Sequence, residues 1–202
     1  MRSMRAVVAA LPGSVLAVFA AHHPSGLTPE TAHHWWSMHV LLIPVFPLLP
    51  VALLWLLRGE RGALVWVARL AGYGFAVCYT ALDVLAGIGA GLAVDTEGAA
   101  GGPLATRMFS VADPIGLAGV WMLIACAVAA TVALGLRHGP WVVPGGLVLV
   151  GSGWVFRTSH IFFPAGMYAM IGLAAGTALL ALAVPVAPLD RGAPVVTADA
   201  GS

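Results

Sequence analysis

Asp83 is the first residue of this chain whose type and position could do chemistry. It interrupts the stretch Ala63 to Val94, where Arg69 is the only other charged residue. A carboxylate in hydrocarbon costs at least ~2.5 kcal/mol, so such a residue is normally turned inward and given a task or a partner. The task can be proton transfer. The alternative is a hydrogen-bonded lock between two helices. Tyr79 lies at i−4, on the same face of a helix and one turn away.

Histidine is the second resource. His39 follows Trp35 and Trp36 at the start of an apolar run and shares a helical face with Trp35. Neutral imidazole sits at a membrane interface at small cost, and the two tryptophans look like an interfacial belt. His160 stands three residues after Arg157, an i, i+3 pair if the helix runs that far. Arg157 could pair with Asp83, with Asp113 or with an anionic head group, or simply snorkel to the interface. His22-His23 and His33-His34 flank a loop with Pro24, Gly26 and Pro29. Clustered imidazoles can capture Zn, Cu or Ni. The spacing nevertheless matches no tight ligand pattern such as H-E-x-x-H, and a solvated His-rich loop is the plainer reading.

The elements that must hold these groups are membrane spans. The 202 residues are 60% hydrophobic and 8% charged, against roughly half and a quarter in soluble domains. That leaves too few charges for a water-facing surface. A net charge of +1 gives no reason to expect a nucleic-acid partner. Five stretches reach or approach the roughly 20 apolar residues of a span: Trp35 to Leu57, Ala63 to Val94, Val111 to Leu136, Trp141 to Phe162, and Pro164 to Val186. A shorter sixth, Ala6 to Ala21, follows a positive start at Arg2 and Arg5. It reads either as a retained span or as a signal peptide ending near Val18-Phe19-Ala20; the retained span is preferred. The expected fold is therefore an all-α, polytopic transmembrane bundle of about six spans, five if the first is cleaved. Residues 1–187 form one transmembrane domain, and residues 188–202 form a disordered cytoplasmic tail.

Arginine placement sets the expected direction. With both termini cytoplasmic, Arg2, Arg5, Arg58, Arg61, Arg137 and Arg191 fall inside, and only Arg107 and Arg157 fall outside. That is the bias expected of short loops. Every histidine but His138 then lies on or near the outer side, with Asp83 in the outer half of its span and Asp113 at the outer end of the next. The loop from Asp95 to Ser110, with Gly98, Gly101, Gly102 and Pro103, reads as flexible. Pro44, Pro47 and Pro50 each remove a backbone donor, so the second span should bend or break just beyond His39. Broken helices persist at membrane depth only where protein or a wet cavity satisfies them. Gly87-x-x-x-Gly91 and Gly172-x-x-x-Gly176 permit close helix contacts. Cys78 and Cys126 lie in apolar runs and read as packing residues.

There is no dinucleotide fingerprint, phosphate loop or nucleophile elbow. Three expectations follow for a multi-pass protein of the cell membrane, in contact with lipid and of unspecified oligomeric state. The leading one is a membrane-embedded enzyme doing acid–base chemistry, of cyclase or isomerase type, on a lipophilic, isoprenoid-like or lipid substrate. Asp83, His39 and His160 would be catalytic. Arg157, Tyr79, Trp35, Trp36 and Asp113 would bind substrate, no residue would be a metal ligand, and no cofactor is specified. The second is a metal- or haem-binding protein using His39 and His160. The third is a non-catalytic accessory or transport subunit.

Overall fold

The computed structural model describes residues 2–185, all helix and connecting turn with no strand among them. The tail expected over 188–202, together with Val186 and Arg191, lies outside the described residues. Helix α1 spans Arg2–His22 and carries Pro12 within it. Helices α2 (Ala32–Leu42) and α3 (Leu48–Leu56) follow. Helix α4 (Ala63–Leu82) passes without a break into a π-helical segment, Asp83–Gly89, and then into α5, Ala90–Glu97. A short 3₁₀ turn leads to α6, Gly102–His138, and another leads to α7, Val143–Ser159. Helix α8, Ala165–Ala183, is the last.

By length and composition, three helical stretches can cross a membrane: α1, the long run Ala63–His138, and α8. The outer surface agrees with such a solvent. Trp66, Leu70, Tyr73 and Val77 of α4 are all exposed, and their spacing makes one helical stripe. Leu136, Trp141 and Leu147 are exposed as well. A soluble monomer rarely shows so much apolar surface.

Helix α4 lies along α6, α1 along α8, and α7 against both α8 and α6, while α2 crosses the π segment and α5. Gly13 of α1 meets the backbone of α8 at Ala174 and Met170, where a Cβ would not fit. Arg5 donates to the carbonyls of Val184 and Pro185 at 3.4 and 3.3 Å, tying the start of α1 to the end of α8. Glu60, after α3, meets Arg137 and His138 at the end of α6 at 3.5 and 3.3 Å. The opposite end gathers His22, His23, the start of α2, α5 and the end of α7. The core between them is aromatic and aliphatic, with Phe46, Phe75, Tyr79, Phe156, Leu16 and Met170 almost fully buried.

One stretch breaks where its prolines led us to expect, and another differs from the sequence expectation. The run Trp35 to Leu57 is not one helix: it breaks over Ile43 to Pro47, where two prolines within a few residues remove the donors a continuous helix needs. The stretch Asp95 to Ser110, expected as a loop, is largely helical. Gly98, at φ +59°, stops α5, and Pro103 opens α6 in its first turn, where its missing N–H costs nothing. Here Gly and Pro mark a helix stop and a helix start, not a long loop.

Candidate metal centre

Three imidazoles meet, one just past the end of α1, one on α2 and one just past the end of α7. One ring nitrogen from each of His23, His39 and His160 lies within 4.8 Å of the others. Each ring is held through its Nδ1. His39 Nδ1 donates to the carbonyl of Trp35 at 2.7 Å, and His23 Nδ1 donates to that of Pro24 at 2.8 Å. A carbonyl can only accept, so Nδ1 carries the hydrogen in both rings and Nε2 keeps its lone pair. His160 Nδ1 is bonded to the hydroxyl of Tyr79 at 2.5 Å. Nε2 is thereby left for an ion in His23 and His39, and in His160 when the Tyr79 hydroxyl accepts from Nδ1–H. Metal-binding histidines are typically anchored through the other ring nitrogen in this way, which fixes tautomer and ring direction.

His23 sits just beyond α1. It is buried, and its Nε2 has no hydrogen-bond partner. Burial pushes this imidazole down to about 4, against the hydrogen bond it donates to the Pro24 carbonyl. It is therefore neutral at pH 7, as a metal ligand must be. The loop behind it is pinned by Thr31, whose Oγ1 accepts from the Thr28 N–H at 2.9 Å and donates to the Gly26 carbonyl at 2.8 Å. Trp35 stacks on His39 at 5.4 Å and meets the edge of His23 at 4.9 Å. Phe162 closes on His23 at 4.8 Å and on His160 at 5.5 Å.

His160 is the one non-glycine residue with positive φ, at +48° with ψ −135°, among the described residues. Such backbone costs on the order of 1–3 kcal/mol and persists only where the surroundings enforce it. Helix α7 stops at Ser159, so the expected i, i+3 pairing of Arg157 with His160 does not form. His160 instead turns inward between Tyr79 and Phe46, at 5.6 and 6.1 Å, and Arg157 goes elsewhere.

The π segment supplies the facing wall. A π turn widens the helix and commonly occurs at functional sites. Here the Ala86 carbonyl accepts from Trp35 Nε1 at 3.1 Å. Gly87 lets α2 approach so closely that a Cβ would land in the His39 ring, and Gly91 does the same beside Trp36. Asp83 opens the segment, is 1% exposed, and has no partner on either carboxyl oxygen. It stands outside the three-nitrogen group.

His39, His160, Asp83, Ala86 and Gly87 border one cavity of about 650 Å³, with His23 behind its wall and not among the lining residues; the volume is within the size range of small-molecule sites. Of the residues singled out in the sequence, Trp35, His39, Tyr79, Asp83, Asp113, Arg157 and His160 all line it. Arg157 presents its guanidinium to the rings of Trp154 and Trp121, at 4.6 and 5.8 Å. Trp36 is not among the lining residues. Its indole donates to Asp95 at 2.9 Å, beside His33 at 3.2 Å, in an exposed cluster. His22 and His34 are exposed too: His22 Nδ1 bonds the carbonyl of Val18, and His34 Nε2 bonds that of His22.

His23 is the site residue that sequence reasoning leaves in the loop. The signal was the His22-His23 doublet at a helix end. Past the last turn, successive side chains can point in opposite directions, so one ring faces solvent while the other enters the core. Comparison with known proteins finds no matching protein family, no matching curated protein and no matching solved structure.

Proposed function

We propose that this protein is a membrane-embedded metalloenzyme. Three histidines, His23, His39 and His160, hold one transition-metal ion beside a cavity for a lipophilic substrate. The observation that carries this reading is the convergence of three imidazoles, two buried and His160 half-buried, each with Nδ1 already engaged. Three imidazoles with an open coordination position form the ligand set of a hydrolytic zinc centre, and Cu, Ni or Fe also accept imidazole. Such an ion supplies Lewis acidity and an activated water. Asp83, across the cavity, is placed to take up or return a proton, and Trp35, Phe109, Leu117 and Val120 offer an apolar bed for a hydrocarbon chain. The protein crosses the cell membrane about six times, with the site toward the outer face. The apolar exterior and the arginine distribution support this arrangement.

Metal analysis of detergent-purified protein tests the reading. One zinc or copper per chain is expected, lost in His23→Ala, His39→Ala and His160→Gly. The last of these also relieves the positive φ, so the variant should fold. Metal-free wild type that takes up no ion on titration sinks the proposal.

A second reading is metal-independent acid–base catalysis of cyclase or isomerase type. The two unpartnered oxygens of Asp83 favour it. Turnover of a lipophilic substrate that survives chelation but not Asp83→Asn would select it.

A further inference from the structure

Arg157 is the one arginine on the cavity wall, and no carboxylate neutralises it. Ion pairs among the described residues join His33 to Asp95, and Arg137 and His138 to Glu60. Asp83 and Asp113 border the same cavity without reaching Arg157. The Arg157 Nε is buried and has no hydrogen-bond partner. A side chain that merely snorkelled would keep its polar head in water. Here the guanidinium carbon lies over the rings of Trp154 and Trp121, at 4.6 and 5.8 Å. With its Nε unpartnered and no carboxylate paired to it among the described residues, the guanidinium fork is left for the two oxygens of a carboxylate or phosphate.

The charge of the whole cavity points the same way. Three neutral imidazoles add nothing to the charge of a divalent ion. Arg157 adds one positive charge and the exposed Asp113, when ionised, subtracts one, while Asp83, buried with no partner on either oxygen, counts as the neutral acid. The cavity keeps a net positive charge, which an anionic head group offsets. The rest of the lining is aromatic and aliphatic, through Trp35, Phe109, Leu117, Val120 and Phe162.

We infer that the cavity takes an amphipath with one acidic head group, carboxylate or phosphate, paired with Arg157, and a hydrocarbon chain along the aromatic wall. The charge balance rests on the metal centre proposed above; the geometry of Arg157 does not.

The test uses the full-length protein in uncharged detergent, with and without zinc. The probes are a long-chain fatty acid, an alkyl phosphate, the alcohol of the same chain length, and inorganic phosphate. Both acids should bind about tenfold or more tightly than the alcohol, as expected for a charge-assisted hydrogen bond. Arg157→Gln should erase that preference with zinc content unchanged. Arg157→Lys should restore only part of it, since an ammonium lacks the planar fork. Equal binding of acid and alcohol, or a preference that survives Arg157→Gln, overturns the inference. Inorganic phosphate binding as tightly as the alkyl phosphate would mark a free-anion site and overturn the amphipath. Should Arg157→Gln fail to fold, the comparison rests on Arg157→Lys, and an undiminished preference there refutes the fork. Protein that binds no zinc yet keeps an Arg157-dependent preference removes the metal centre and leaves the head-group site standing. Zinc binding without any acid preference does the reverse.

Discussion

Tyr79→Phe separates the metal centre from ordinary packing. The ring of Tyr79 lies among Phe46, Phe75 and Phe156 at 4.6, 4.9 and 5.1 Å, and the residue is 1% exposed. Phenylalanine keeps all of that contact and removes only the hydroxyl that bonds His160 Nδ1. The consequence depends on the state of the site. With an ion on Nε2, Nδ1 must carry the hydrogen, and in the variant that buried N–H has no acceptor. An orphaned buried donor costs about 1–3 kcal/mol. In the metal-free protein the ring can hold its hydrogen on Nε2 instead and leave Nδ1 bare, so the cost falls mainly on the metal-bound form. It therefore appears as weakened binding of about 5- to 150-fold, in line with the ~10–100-fold typical of such supporting groups. Competition for zinc against a chromophoric chelator measures the ratio, and thermal unfolding of the metal-free protein is the control. Zinc affinity within about twofold of wild type, in protein that melts normally, would mean His160 is not a ligand and would refute the argument.

Two further perturbations probe the frame around the site. Gly87→Ala places a methyl group where the His39 ring now lies, so His39 must move; zinc affinity should fall about tenfold or more while circular dichroism shows the helix content unchanged. A cysteine at position 33, in a background without Cys78 and Cys126, should react with an impermeant thiol reagent from the outer side of intact cells. Labelling from the cytoplasmic side alone would invert the proposed orientation.

Much of the architecture was legible in composition and punctuation. Apolar runs marked the helices, and Pro44 and Pro47 marked the break beyond His39. Asp83, His39, His160 and Tyr79 were legible because polar groups in apolar runs are expensive and therefore few. What stayed hidden was local geometry. The i, i+3 reading of Arg157 and His160 assumed a continuous helix, and the positive φ at His160 is invisible in a sequence that has no glycine there. The π segment leaves no periodic signature, because Asp83–Gly89 reads as ordinary helix from its residue types. His23 was hidden because loop histidines are usually solvated, and only the Thr31 turn and the packing of Trp35 and Phe162 turn this one inward.

The location of the site follows from a constraint on helical proteins in apolar surroundings. A regular helix satisfies its own backbone, and its side chains fan outward around the axis. Side chains on facing regular helices can converge on one point, but irregular backbone at membrane depth persists only where protein or a cavity satisfies it. Each group here sits at a departure from regular helix. His23 follows the last turn of α1, and His39 lies one turn before the proline break after α2. Asp83 opens the π segment, and His160 caps α7 with φ +48°. Each departure costs stability, the strained residue alone on the order of 1–3 kcal/mol. Four of them around one cavity are hard to reconcile with a purely structural bundle, for which regular helices would be more stable. A bound ion, by contrast, offsets these costs through its own binding free energy, and it predicts that metal-loaded protein unfolds at a higher temperature than the chelated form.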